Sequence, residues 1–186
     1  QVTSYFASGK VPYRYGNAHA SLVPYQVFTV SDGEIVVAVG NDAQWQQYCA
    51  AIERADLATA ERWKLVSGRI TGRNELVPEL ARTMLTRNVA DWTQRLEARG
   101  VPCGPIDNYA QVFQDPQVQH RGLRVELRRP DGAAVSTIAS PLRLCDTPPA
   151  HVRAPPALGD STESVLADLL GYGDDRITAL RAAGIV

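Results

Sequence analysis

Between Tyr25 and Val39 the chain alternates and then becomes apolar at every position. Pro24 opens a strand-like run from Tyr25 to Val30, Ser31-Asp32-Gly33-Glu34 interrupts it, and Ile35-Val36-Val37-Ala38-Val39 follows. Asp-Gly between two such runs signals a hairpin turn. The unbroken second run predicts a strand buried on both faces. After Gly40 the period lengthens to that of a helix. Asn41 or Asp42 is placed to cap it, and Trp45, Cys49 and Ile52 share one face with Tyr48 beside them. Asn74 is placed to cap a further helix, with Pro78 in its first turn and Leu76, Leu80 and Met84 turned to the core. Trp92 and Leu96 mark a shorter helix that Gly100 closes.

The second half has the same ingredients in a thinner pattern. Val101-Pro102-Cys103-Gly104-Pro105-Ile106 reads as a rigid connector. Asp115-Pro116 caps and starts a short helix that Gly122 ends. Leu123–Arg129 and Val135–Ala139, turned by Pro130-Asp131-Gly132, form a second hairpin. Hairpin pairs with helices between them predict an α+β fold: a small domain with a mostly antiparallel sheet, four strands from the two hairpins, and flanking helices. From Asp146 to Pro156 four prolines leave only an extended strap. Asp160-Ser161-Thr162-Glu163 is a capping-box pattern that opens a helix bearing Val165, Leu166, Leu169 and Leu170. A last helix carries Ile177 and Leu180 inward. These two helices are too short to bury their own apolar faces and are expected to dock elsewhere. The expected divisions are 1–21, a linker and loop; 22–145, the small α+β domain; and 146–186, the strap and C-terminal helices.

Composition narrows the function by exclusion. The 186 residues suffice for one domain with a core, or a domain plus an arm. A net charge of -1 argues against a nucleic-acid surface. No apolar run approaches a membrane span, so no membrane partner is expected. No signal-peptide pattern is read at Gln1, and Val2–Phe6 reads like the end of a helix already under way, so the chain is expected to be a piece of a longer one. Only Lys10 and Lys64 are lysines, so arginine supplies nearly all the positive charge, but scattered arginines do not choose a site. Cys49, Cys103 and Cys145 form no C-x-x-C pair, which removes a zinc or dithiol reading and suits a reducing cytoplasm.

Candidate chemistry is sparse. His19 and Ser21 lie in the loop before the first strand, but no G-x-S-x-G accompanies them, so a loop-shaping role outweighs a nucleophile pair. His120 and His151 share no ligand spacing with His19 and read as solvated. Gly40-Asn41-Asp42 lacks a phosphate-loop signature and reads as a cap. No catalytic residue and no metal ligand are assigned within the chain, and no permanently bound cofactor is expected.

Taken together, YRYGNAHASLVPYQVF, DGEIVVAVGND, GVPCGPI, DPQVQHRG, SPLRL with TPP, APPALGDSTESVLADLLG and the terminal RAAGIV resemble the family III CoA-transferases, of the formyl-CoA transferase and carnitine CoA-transferase type. The segments keep that family's order over nearly the whole chain. The resemblance implies a transferase that moves coenzyme A from an acyl-CoA to a carboxylate through an aspartyl-CoA thioester, with coenzyme A thioesters as substrates. The nucleophilic aspartate belongs to the family's large domain, and no residue here matches it. The chain is therefore similar to the small domain plus a tail that returns to the large domain of the same protein, within an interlinked homodimer. Gly16, Asn17, Ala18, His19, Ala20 and Ser21 fall where the formyl-CoA branch carries a glycine-rich loop over its active site. The glycine run is absent here, so the loop is expected to be stiffer and the acyl group a different one. Two other readings stand beside this one: an α-methylacyl-CoA racemase of the same fold, and a non-catalytic interaction module.

Overall fold

The computed structural model describes residues 1–12 and 14–186; Tyr13, which opens the YRYGNAHASLVPYQVF segment, lies outside them. It is an α+β chain. It divides into two compact units, Gln1–Asp107 and Asn108–Val186.

The first unit opens with α1 (Val2–Ser8), the helix expected there, and all of its residues are exposed. The sheet begins with β1 (Tyr25–Thr29) and β2 (Glu34–Ala38), antiparallel, with Val27 opposite Val36. Asp32 in their turn also accepts a hydrogen bond from Val89 N–H (2.8 Å), tying the turn to the start of a later helix. Phe28 and Val30 point inward from β1, and Ile35, Val37 and Val39 from the second run. Val36 and Ala38 on the opposite face are only half-buried. The run expected to be buried on both faces is thus fully buried on one.

Four helices follow before the next long one: α2 (Asp42–Ala51), α3 (Ala55–Thr59), α4 (Glu61–Lys64) and α5 (Val66–Thr71). Asn41 caps α2 by accepting from Gln44 N–H at 2.8 Å. Trp45, Tyr48, Cys49 and Ile52 are buried as the spacing predicts. The chain then continues through α6 (Arg73–Met84) and α7 (Val89–Glu97). Leu76, Leu80, Met84, Trp92 and Leu96 complete the core, and the Trp92 indole N–H donates to Met84 C=O at 2.7 Å. Asn74 does not cap α6: Gly72 precedes the first residue and its carbonyl accepts from Leu76 N–H at 3.0 Å. Pro78 consequently lies a turn inside the helix rather than in its first turn.

The segment read as a connector is a strand, β3 (Cys103–Pro105), antiparallel to β2 with Val36 opposite Gly104. Ala38 N–H donates to Pro102 C=O and Ile106 N–H to Glu34 C=O. Gly104 faces β2, so by alternation the nitrogen of Pro105 faces away, where a missing donor costs no ladder bond. The sheet order is β1-β2-β3.

One residue binds the first unit together. Arg69 on α5 is the one buried charged side chain among the described residues, at 0% exposure. Its Nε donates to Val23 C=O (2.8 Å), Nη1 to Trp63 and Lys64 C=O (2.9 and 3.0 Å), and Nη2 to the Asp42 carboxylate (2.9 Å). The guanidinium also lies 5.1 Å from the centre of the Trp45 ring.

In the second unit α8 (Tyr109–Val112) is closed by a capping box between Asn108 and Gln111, and α9 (Pro116–His120) is capped by Asp115 as expected. The hairpin β4 (Arg124–Arg128) and β5 (Ala134–Ile138) forms its own two-stranded sheet. The single four-stranded sheet expected from the pattern is therefore replaced by two sheets. The strap follows, with His151 Nε2 accepting from Ser140 N–H at 2.8 Å, so this histidine is exposed but not merely solvated. The capping-box sequence at Asp160 does not form the box: the Asp160 carboxylate accepts from Ala157 N–H, and Ser161 makes no capping bond. A short α10 (Thr162–Ser164) runs into a π-helical stretch, Val165–Leu169, and α11 (Asp174–Ala182) ends the chain with Ile177 buried.

Replacing Arg69 by Met keeps much of the side-chain bulk but strips the buried carbonyls of Val23 and Trp63 of their donor. Arg69→Met is expected to lower stability by on the order of 3 kcal/mol. Urea denaturation measures this, and a loss under about 1 kcal/mol would remove Arg69 from its central role.

Candidate functional site

The loop Gly16–Ser21 runs beside the free edge of β1. Gly16 takes a left-handed φ of 63°, and Ala18 N–H closes the turn onto Tyr15 C=O at 3.1 Å. The outward polar groups of β1 are then met in sequence by the loop. Asn17 Oδ1 accepts from Val27 N–H at 3.2 Å, and His19 N–H donates to Tyr25 C=O at 2.8 Å. The His19 ring stacks on Tyr25, with centroids 5.2 Å apart and planes 19° apart. An exposed edge strand that would otherwise seek a partner is thereby satisfied within the chain.

His19 and Ser21 do meet, but not as a nucleophile pair. His19 Nδ1 accepts from the backbone N–H of Ser21 at 3.0 Å, so the imidazole shapes the loop instead of activating the hydroxyl. From the other side Arg73, at the start of α6, donates from Nη2 to His19 C=O (2.7 Å) and Ala20 C=O (3.0 Å). Its guanidinium lies 5.2 Å from the centre of the Tyr15 ring. Arg73 carried no signal in the sequence, because nothing distinguished it from the other arginines.

Beside the loop lies a cleft of about 500 Å³. Arg14, Gln26, Arg73 and Asn74 supply its polar lining, and Val77 with Pro78 an apolar one. Ala18 of the loop reaches it as well.

The remaining candidates resolve as local structure. At Gly40-Asn41-Asp42 the amide of Gly40 donates to Gln44 Oε1 (2.7 Å), Asn41 caps α2, and Asp42 pairs with Arg69. The amides of Gly40 and Gln44 are thus already in use as donors, and Asn41 and Asp42 as acceptors, as a cap requires. Cys49 is in the core, and burial pushes its thiol up to about 12, outweighing the lowering by Arg69. Burial also raises the Cys103 thiol, while Cys145 is exposed. Among the described residues no group of three or more His, Cys, Asp or Glu could hold a metal ion. No helix among them is long and apolar enough to cross a membrane.

The chain is similar to known proteins in sequence and fold. The profile of CoA-transferase family III matches residues 1–162. The chain is 36% identical over 169 residues to the succinate–glutarate CoA-transferase of Agrobacterium fabrum, spanning 91% of this chain and 42% of that protein. It is 35% identical over 183 residues to the succinyl-CoA:glutarate CoA-transferase of Homo sapiens, spanning 98% of this chain and 42% of that protein. The crystal structure of a CAIB/BAIF family protein from Brucella suis matches with a TM-score of 0.74 and 34% identity, over 91% of this chain and 43% of that one. The chain thus spans less than half the length of these relatives.

Two outcomes test the local structure. Removing the side-chain acceptor in Asn17→Ala is expected to speed hydrogen exchange at Val27 N–H, read by NMR or mass spectrometry; unchanged protection would show that the loop does not cover the edge. In native protein at pH 8 a thiol reagent is expected to modify Cys145 and leave Cys49 intact, since a thiol titrating near 12 holds little thiolate there. Labelling of Cys49 at the rate of Cys145 would contradict its burial.

Proposed function

The chain belongs to CoA-transferase family III, and from that membership we propose that it is the C-terminal portion of an acyl-CoA:carboxylate CoA-transferase. The observation that carries the reading is the extent of the match: nearly all of this chain aligns with a succinyl-CoA:glutarate CoA-transferase, yet with less than half of that enzyme. The reaction proposed for the whole protein proceeds by covalent carboxylate catalysis. An aspartate of a large domain, outside these residues, attacks the acyl-CoA carbonyl to form a mixed anhydride and release the CoA thiolate. The thiolate returns to the aspartyl carbonyl, giving an aspartyl-CoA thioester and releasing the donor acid as a carboxylate. The acceptor carboxylate then displaces the thiolate from that thioester, and the thiolate attacks the acceptor carbonyl of the new anhydride to form the product thioester and free the aspartate. The names of the relatives point to dicarboxylic acids such as succinate and glutarate on both sides of the exchange.

In this reading Gly16–Ser21 covers the reacting groups. Its anchorage by Asn17, His19 and Arg73 supports a stiff cover, and no permanently bound cofactor is called for. Residues 146–186 would return to the large domain in an interlinked homodimer located in the cytoplasm. Leu158, Leu169, Leu170 and Ile185 are exposed along that tail, and burying each against a partner would contribute roughly 1.5–3 kcal/mol.

The test is to incubate the full-length protein with succinyl-CoA and glutarate and follow the thioesters by mass spectrometry. Formation of glutaryl-CoA, with a transient CoA adduct on one aspartate, is expected. Residues 1–186 alone are expected to give no exchange. Racemisation of a 2-methylacyl-CoA without exchange, or turnover by residues 1–186 alone, would overturn the assignment.

A further inference from the structure

We infer that the cleft between the Gly16–Ser21 loop and the start of α6 is an anion subsite, in which Arg14 and Arg73 hold a carboxylate or phosphate group of the substrate. Two guanidinium groups and the amides of Gln26 and Asn74 line the cleft, and no carboxylate does. The acid adjacent to them, Glu75, is engaged elsewhere, with Arg62 at 2.5 Å. Arg14 is exposed and makes no hydrogen bond or ion pair among the described residues, so its charge is uncompensated. Arg73 commits one nitrogen, Nη2, to the loop carbonyls, which leaves other N–H groups of its fork for a ligand. Forked donors facing a planar oxyanion are the arrangement that Arg recognition of carboxylate and phosphate uses. Because Arg73 also grips His19 and Ala20, an anion held there would be coupled to the position of the loop.

The inference relies on the transferase reading only for the identity of its anions. One source is the non-reacting carboxylate of a dicarboxylic substrate, the other a phosphate of coenzyme A, and the same experiment separates them. Calorimetric titration of the full-length protein with glutarate, coenzyme A and dephospho-coenzyme A is compared between wild type and Arg14→Gln. Among the described residues Arg14 makes no hydrogen bond or ion pair, so this variant is expected to fold unchanged. About ten-fold weaker binding is expected for one class of ligand. Weakening toward glutarate, with the KM of a monocarboxylate acceptor unchanged, assigns the distal carboxylate. Weakening toward coenzyme A but not its dephospho form assigns the 3′-phosphate. Arg73→Lys, which retains the charge but loses the fork, is expected to weaken the same ligand by a smaller factor. If wild type transfers no coenzyme A, the proposed function fails while the titrations still decide the cleft. If Arg14→Gln binds all three ligands as wild type does, or wild type binds none of them, the subsite is overturned.

Discussion

The first unit depends on one buried guanidinium. A fully buried positive charge is tolerated only when its donors are met and a counter-charge is near. Arg69 meets both conditions by joining segments far apart in sequence: Val23 before β1, Asp42 at the start of α2, and Trp63 and Lys64 at the end of α4. Asp42 itself is 44% exposed, so the pair is only half removed from water and its desolvation cost is correspondingly smaller. The stabilisation lies less in the ion pair than in the carbonyls, which would be buried without partners if the arginine were lost. Burial of Trp45 beneath the guanidinium completes the arrangement.

That constraint extends to the loop. Val23 is two residues beyond Ser21 and immediately precedes the proline that opens β1, so the Arg69–Val23 bond fixes where the loop must end. Once the end is fixed, the free edge of β1 fixes the path, because Tyr25 C=O and Val27 N–H require partners. The same edge logic explains the sheet. With β1 covered by the loop, and β3 presenting a proline nitrogen outward, neither edge offers a full ladder to a further hairpin. The second hairpin pairs with itself, which accounts for two sheets where the strand pattern suggested one.

What was legible in the sequence were features with local causes. The Asp-Gly turn, the Asn41 and Asp115 caps, and the faces of α2, α6 and α7 each depend on residues within a few positions of one another. What was not legible depended on distant partners. α3, α4 and α5 are too short to show a period, and they form because Leu57, Trp63 and Arg69 find a core that other segments build. β3 looked like a connector because its prolines argue against a strand, and only the open edge of β2 makes it one. Arg69, Arg73 and Arg14 are indistinguishable from the other arginines until folding surrounds the first with carbonyls and sets the other two beside a cleft. The loop was marked by its residues and the loop-shaping role of His19 was read from them, whereas the bond of Asn17 to the β1 edge was not.

The two units differ in how they meet the entropy of ordering a chain. The first buries a continuous set of large side chains from Val23 to Val101. In the second only Ala139 and Ile177 are buried among the hydrophobic residues, while Leu142, Leu144, Leu158, Leu169 and Leu170 remain exposed. Local bonds partly substitute: the Asn108–Gln111 box, the double cap from Asp115, the His151–Ser140 bond and the Arg181–Glu163 pair. Such exposed pairs and caps contribute about 0.3–1 kcal/mol each, against roughly 1–2 kcal/mol of backbone entropy for every residue ordered. The exposed leucines of the tail are the apolar surface that the proposed return to a large domain would cover.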